Sequence, residues 1–132
     1  MSVQDLAILL RTMEPVLHPE PYGYGVWAGG VLLIEPFATV SEAEGLTIVA
    51  PLAELRAAGM QSDPWARISL TVHSDLAAVG LTAAFATALG TEGISCNVVA
   101  GLNHDHIFVP VHQAQLALEV LRALQRSACS AP

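Results

Sequence analysis

The stretch covering residues 67–110 constrains the fold more than any other part of the chain. It begins with strict alternation, in which Ile68, Leu70 and Val72 point to one face and the residues between them point to the other. A period of two is typical of a strand with one buried face. Residues 76–89 are rich in Ala, Leu and Thr and lack proline, which predicts a helix.

The ends of this helix are also marked in the sequence. Ser74 and Asp75 precede it, and both cap helix N-termini well because a side-chain oxygen accepts a backbone N–H of the first turn. Gly90 and Gly93 predict its end, since glycine tolerates the left-handed conformation that comes after many helices. Two strands and a second helix come next, at residues 94–100, 104–109 and 113–126. This order is a ferredoxin-like unit that lacks only its final strand.

The residues along this unit resemble those of a known family, the ACT domain. The segments TVHSD, VGLTAAF, GISCNVV and HDHIFVPV carry the resemblance, which is specific over about residues 67–121. More narrowly, the chain is similar to short, free-standing bacterial ACT-like proteins built from two ACT-like halves. The family is a small ligand-binding regulatory module of amino-acid metabolism. Its members typically place an acidic residue, a short spacer and Gly-Leu at the first strand–helix junction; here Asp75 and Gly80-Leu81 are separated by a longer spacer.

The chain before this unit predicts a second, smaller set of elements. In order they are a helix ending near Glu14, a proline-rich connector (15–21), a strand with alternating glycines (22–28), a loop (31–36), a hairpin (37–41 and 46–50) and a short helix (52–58). We interpret residues 1–62 as a degenerate N-terminal ACT-like half and residues 63–132 as the C-terminal ACT domain. The strand that the N-terminal half lacks is expected to be supplied by, or shared with, residues 67–72.

Charge and hydropathy exclude several classes of partner. The formal net charge is -7, with five arginines and no lysine, so nucleic acid is not expected as a partner and anionic membrane surfaces are disfavoured. The longest apolar run, residues 28–34, is far shorter than the roughly 20 residues needed to span a bilayer. The N-terminus does not resemble a signal peptide. Cys96 alternates with core residues and Cys129 lies in the tail, so a reducing cytoplasm is the expected location.

The best candidate ligand site is the junction formed by His73, Ser74, Asp75 and Gly80. Free backbone N–H groups at a helix N-terminus favour a carboxylate, and Asp75 can pair with the ammonium group of an amino acid. The simpler alternative is that Ser74 and Asp75 only cap the helix and Gly80 only permits close packing. The ACT resemblance implies a ligand at an interface between domains, near this loop and the second strand. That adds Leu81, Ser95 and Asn97 to the candidate residues.

A metal site is the main competing hypothesis. His104 and His106 would share one side of a strand, and facing imidazoles can bind zinc or another borderline metal. Two ligands do not complete a site, so His73, His112 or a carboxylate would have to contribute. No ligand-spaced Cys/His motif supports this.

Catalysis finds little support in the sequence. The chain contains no nucleophile elbow, phosphate-binding loop or dinucleotide fingerprint, so we expect no cofactor and no enzyme activity. His73 and Ser74 are adjacent, and neighbours on a strand point to opposite faces.

The sequence therefore predicts an α+β protein of two ferredoxin-like (βαββαβ-type) ACT halves, with antiparallel sheets, packed edge to edge or face to face, and helices on one face. A homodimer is expected because small sheets usually cover their exposed edges with a partner. The expected function is non-catalytic sensing of a small metabolite, an amino acid first of all, at a domain or subunit interface. The alternatives are a metal-binding protein that uses His104 and His106, or a purely structural protein-interaction module.

Overall fold

A computed structural model describes residues 5–130. Its helices are α1 (Leu6–Thr12), α2 (Leu52–Ala57), α3 (Leu81–Thr91) and α4 (Ala114–Ser130), the last preceded by a 3-10 turn (Val111–Gln113). Its strands are β1 (Pro15–Leu17), β2 (Tyr22–Trp27), β3 (Ala38–Glu42), β4 (Gly45–Pro51), β5 (Trp65–Leu70), β6 (Asn97–Ala100) and β7 (Asp105–Pro110). None of the helices among these residues is long and apolar enough to cross a membrane.

Strand β5 is shared by two units of one antiparallel sheet. The strand order is β3-β4-β2-β5-β7-β6, and β1 pairs with β5 outside this path. One edge of β5 pairs with β7, while the other pairs with β1 and, where Tyr22 meets Trp65, with the start of β2. The N-terminal unit is thus β2, β3 and β4 completed by β5. Strand β5 overlaps residues 67–72, which were expected to supply the missing strand, but β2 pairs with it at Trp65, outside that range, and residues 68–70 pair with β1 instead.

The missing strand of the C-terminal unit comes from the N-terminus of the chain. Leu17 pairs with Ile68 and Pro15 with Leu70, which places β1 beside β5 in the position of the last ferredoxin-like strand. The prediction that residues 15–21 are only a connector is therefore wrong. Pro15 is tolerated because it occupies the first position of the strand. The spatial units overlap in sequence, and the chain boundary at residue 62 stays a prediction.

All four helices lie on one face of the sheet, as predicted. The main core packs β5 and β7 against α1, α3 and α4, and its fully buried members include Leu9, Ile68, Leu70, Phe85, Leu89, Ile107, Val109 and Leu121. In the N-terminal unit α2 covers the glycines of β2 instead. A Cβ atom on Gly23 would lie 2.8 Å from the Leu55 side chain, and one on Gly25 would lie 2.6 Å from Met60 Sδ. These glycines allow α2 and the segment after it to pack close to the strand.

The other face of the sheet carries an aromatic layer between the two units. Tyr22, Phe37 and Phe108 contact one another edge-on, with ring centroids 5.7–5.9 Å apart. Phe37, which comes just before β3, contacts Phe108 of β7. In the strand order, however, β4, β2 and β5 lie between β3 and β7. The sheet must therefore curl. The two units meet face to face through this layer and edge to edge through β5.

Helix α3 begins later than the sequence predicts. It starts at Leu81, after Gly80 in a left-handed conformation with φ 106°. A right-handed helix cannot continue back through that conformation, so residues 76–79 form a loop despite their helical composition. The prediction that Ser74 and Asp75 cap the helix is wrong. Asp75 instead closes a turn, in which Oδ1 accepts from the Ala77 N–H at 2.8 Å.

Candidate functional site

The loop of residues 71–80, which we call the junction loop, borders two cavities next to the start of β7. The smaller, of about 90 Å³, is lined by Ser74, Asp75, Leu76, Ala78, Leu81, Thr82, Ala100 and Asp105. The larger is an open cleft of about 440 Å³ lined by His73, Asp75, Leu76, Leu102 and Asn103. Because Asp75 and Leu76 line both, the two cavities are neighbours.

The first half of the junction loop is held in place by hydrogen bonds. The Thr71 N–H donates to the Met13 carbonyl at 2.8 Å, and its hydroxyl donates to the Glu14 carbonyl at 3.0 Å. His104 Nδ1 donates to the Val72 carbonyl at 3.2 Å, which ties the loop to the chain entering β7. The loop tip is open, with Val79 83% exposed. A loop that is fixed by hydrogen bonds at its start and accessible at its tip suits a site that a small molecule enters from solvent.

Two carboxylates line the small cavity. Asp75 belongs to the junction loop, and Asp105 is the first residue of β7 and is only 9% exposed. Burial raises the pKa of the Asp105 carboxyl, and the neighbouring His104 opposes that shift in part. Asp105 was not among the site residues that the sequence predicted. The alternation of the strand could have revealed it, because Asp105 lies two residues before Ile107 and four before Val109, on the same apolar face.

The N-terminus of α3 supplies the opposite polarity. Leu81 and Thr82 line the small cavity in the first turn of this helix, and Gly80 offers no side-chain cap for their N–H groups. The N–H groups of a first helical turn and the helix dipole favour an anion. The cavity thus combines acceptors for a positive group with donors for a negative one.

The structure brings together most, but not all, of the predicted site residues. His73, Ser74, Asp75 and Leu81 border the cavities. Gly80 lies beside them, and a Cβ atom there would come within 3.0 Å of the Leu6 side chain, so close packing explains this glycine.

Ser95 and Asn97 lie at the far end of β6. Asn97 pairs with Phe108, whereas Ala100 pairs with Asp105 at the small cavity. Asn97 and Ala100 are three positions apart, which is roughly 10 Å along a strand. Within one chain Ser95 and Asn97 therefore do not reach the junction loop, and Ala100 represents β6 at the cavity.

The proposed metal ligands have separate hydrogen-bond partners. His104 is bonded to Val72 and lies with its ring 6.0 Å from that of His73, whereas His106 Nδ1 lies 2.7 Å from Ser69 Oγ. Among residues 5–130 the structure contains no group of three or more His, Cys, Asp or Glu residues placed to hold a metal ion. These positions do not favour a shared site for His104 and His106.

His106 instead belongs to a polar group on the aromatic face, which we call the Arg67 cluster: His18, Tyr22, Arg67, Ser69 and His106. Arg67 Nη1 donates to Tyr22 Oη at 2.8 Å, and Nη2 lies 3.5 Å from His106 Nδ1. Ser69 Oγ contacts both His106 Nδ1, at 2.7 Å, and His18 Nε2, at 3.0 Å. Arginine can only donate, so His106 Nδ1 is an acceptor and the imidazole is neutral.

The electrostatics of the Arg67 cluster agree with this assignment. Burial, together with the charge of Arg67 and the nearby His104 and His18, lowers the pKa of His106 to about 4. The guanidinium carbon of Arg67 lies 4.2 Å from the Phe37 ring centroid, a cation–π contact. The cluster therefore joins β5 and β7 to β2 and Phe37 across the two units. Sequence reasoning missed it because its members are far apart in the chain.

Comparison with known proteins agrees with this architecture. Two ACT-domain family models match the chain, one over residues 1–67 and the other over residues 62–123. A Vibrio cholerae protein of unknown function, described as a possible transport protein, is 48% identical over 88% of this chain and 92% of its own, with a TM-score of 0.79. No protein of curated function matches the chain.

More distant structures share the fold alone. An Agrobacterium tumefaciens protein is 18% identical over 80% of this chain and 84% of its own, with a TM-score of 0.68. The ligand-free regulatory subunit of aspartate kinase from Thermus thermophilus is 10% identical over 86% of this chain and 97% of its own, with a TM-score of 0.62. ACT domains are typically regulatory ligand-binding domains. The two family matches show that this chain belongs to the ACT-domain family.

Proposed function

We propose that this protein is a non-catalytic sensor that binds a free amino acid in the small cavity at the junction loop. The observation that carries the proposal is that Asp75 and Asp105 line one cavity together with the first turn of α3. An amino acid presents an ammonium and a carboxylate on one carbon, and this cavity offers a partner to each.

Each group of the ligand has a proposed position. The carboxylate accepts from the N–H groups of Leu81 and Thr82, and the ammonium donates to Asp75 and Asp105. Ser74 supplies a hydroxyl beside them. A cavity of about 90 Å³ accommodates this charged head. The amino-acid side chain would extend past Asp75 into the larger cleft of about 440 Å³.

A homodimer would complete this site with the remaining predicted residues. β6 lies at one end of the strand order and pairs with β7 along one edge. The other edge of β6 would pair antiparallel with β6 of a second copy, around a twofold axis between Val98 and Val99. Asn97 of one copy would then lie opposite Ala100 of the other. Ser95 and Asn97 of the second copy would then approach the small cavity. Ligand binding would favour this arrangement and so regulate assembly.

The comparisons support regulation as the role. The Thermus thermophilus protein that shares the fold is a regulatory subunit of a kinase. The cysteines of this chain are unpaired, which suits the proposed cytoplasmic location.

The test is a thermal-shift screen of the purified protein against the proteinogenic amino acids. A ligand at a hundred times its dissociation constant adds roughly 2.7 kcal/mol of stability. For a chain of this size that amounts to a rise of several degrees in Tm. Asp75→Asn and Asp105→Asn should each weaken binding about ten- to a hundredfold, because each removes a charge-assisted hydrogen bond. Glu92→Gln, at the far end of α3, is the matched control and should bind normally.

Two results would contradict the proposal. One is a flat amino-acid panel, and the other is binding that survives both aspartate substitutions. Sedimentation equilibrium on the same samples tests the dimer, which should be favoured by the stabilising amino acid.

A protein-interaction module is the second candidate, and one observation favours it. The loop between β2 and β3 exposes Val31 by 77% and Leu33 by 90%. Such exposed apolar side chains can contact a partner protein. This function predicts that Val31→Ser with Leu33→Ser abolishes a complex captured from the native cell while the amino-acid panel stays flat.

A further inference from the structure

The cavity with the largest volume of those described lies at the opposite end of β5 from the junction loop. It is an open cleft of about 500 Å³ lined by Asp63, Pro64, Trp65, Pro110, Val111 and His112. We call it the Trp65 cleft. From Trp65 to Leu70, strand β5 rises roughly 17 Å, so the two sites are separate. Its volume lies within the range of about 300–1,000 Å³ typical of small-molecule sites.

The walls of the Trp65 cleft are set by the backbone. Trp65 pairs with Pro110 where β5 and β7 lie side by side. The chain enters β5 through Pro64 and leaves β7 through Val111, whose N–H points to the Pro64 carbonyl at 3.4 Å. Two prolines restrict this backbone. The Trp65 ring is held by an edge-on contact with Tyr24, with centroids 6.0 Å apart. The cleft is therefore preformed.

The lining specifies the chemistry of an occupant. Pro64, Trp65, Pro110 and Val111 form an apolar surface, and Asp63 is the only carboxylate among the six lining residues. An indole face and a carboxylate both attract a cation. We propose that the Trp65 cleft binds a small organic cation with an apolar body, such as an aromatic amine. The proposal does not depend on the amino-acid site, and a ligand carboxylate would be repelled here by Asp63.

The test uses three probes of similar shape and different charge: 2-phenylethylammonium, 2-phenylethanol and 3-phenylpropionate. Each is titrated into the full-length protein and followed by amide and indole N–H chemical shifts. The cation should give saturable shifts confined to the amides of Asp63, Trp65, Val111 and His112 and to the Trp65 indole N–H. It should bind about twofold to fivefold more tightly than the alcohol, since an ion pair exposed to water contributes only modestly. The anion should bind most weakly.

Two variants sharpen the result. Asp63→Asn keeps the shape of the side chain and should erase the preference for the cation over the alcohol. The matched control, Glu54→Gln on the exposed side of α2, should leave that preference unchanged. The proposal is overturned if the cation gives no saturable shift at the cleft, if its shifts fall on residues 73–76 and 105 instead, or if Asp63→Asn leaves the preference intact.

Discussion

The two units of this protein differ in the segment that connects their first strand to the next one. In the C-terminal unit, β5 leads through the junction loop into α3, which covers the sheet and points its N-terminus at a cavity. In the N-terminal unit, β2 leads into a loop of residues 28–37 and no helix intervenes before β3. The consequence is visible at Leu33, which is 90% exposed.

This difference indicates which unit carries the site. The loop of residues 28–37 borders a cavity of about 260 Å³ in the N-terminal unit. This cavity is lined by Leu33, Ile34, Glu54, Ala57 and Ala58. It holds one carboxylate, and β2 is not succeeded by a helix N-terminus. A strand, a loop and a helix start are needed together to oppose donors and acceptors. We therefore expect the proposed amino-acid site in the C-terminal unit, which the N-terminal unit contacts through the aromatic layer and the Arg67 cluster.

The largest expected effect comes from the main core, which packs α1, α3 and α4 against the C-terminal unit. Phe85 of α3 is fully buried among residues of three helices. Phe85→Ala should cost about 3–5 kcal/mol of unfolding free energy through lost burial and a cavity, as urea denaturation would show. Leu55→Ala, in the smaller core under α2, should cost less, near the lower end of about 2–5 kcal/mol. If Leu55→Ala lost as much unfolding free energy as Phe85→Ala, or more, the N-terminal core would contribute at least as much stability as the main core.

The second effect tests the connection between the units. Arg67→Ala removes the donor to Tyr22 and the cation above Phe37, and should cost about 1–3 kcal/mol. Arg56→Ala, on the exposed side of α2, should change stability by less than about 0.5 kcal/mol. The His106 pKa should also rise toward its ordinary value of 6.5 in Arg67→Ala, measured by NMR titration. An unchanged His106 pKa would show that Arg67 does not act on it.

The sequence predicted much of the fold but little of this connection. The hairpin was found because alternation and turn residues are local signals. Strand β1 was missed because three residues beginning with a proline form a strand only by pairing with β5, some fifty positions away. The late start of α3 was missed because Gly80 adopts a left-handed conformation where Leu6 packs against it.

The candidate site shows the same limit. Ser74 and Asp75 were identified as polar residues at a strand–helix junction, although neither caps the helix. Asp105 was overlooked because the metal hypothesis drew attention to His104 and His106, whereas Asp105 shares the apolar face of β7 with Ile107 and Val109. Residues that meet across strands, such as Arg67 and His106, carry no shared local pattern.

The smallest effect is a pH dependence that comes from the Arg67 cluster. The pKa of His106 is about 4 in the folded protein and 6.5 ordinarily, so the unfolded state binds more protons between these values. Stability should rise with pH across this window and be lost as pH falls from 6.5 toward 4. His18, whose pKa burial and Arg67 also lower, acts in the same direction.

His106→Asn should flatten this dependence, because Oδ1 can replace Nδ1 as the acceptor without titrating. The expected change is on the order of 1 kcal/mol, since the ring is partly exposed and water screens its charge. Asp105, whose pKa burial raises, opposes the trend because the folded state holds its proton more tightly than the unfolded state does. The comparison is therefore made in an Asp105→Asn background by urea denaturation at several pH values. A wild-type slope that persists in His106→Asn would contradict the assignment.

The most direct test of the central claim is an amide NMR titration with the proteinogenic amino acids at millimolar concentrations. Our account predicts saturable shifts for one or a few amino acids, concentrated in residues 73–76, 81–82 and 100–105. Residues 28–37, the corresponding loop of the N-terminal unit, should not respond. Shifts confined to that loop, or no saturable shift with any amino acid, would contradict the assignment of the sensing site to the C-terminal unit.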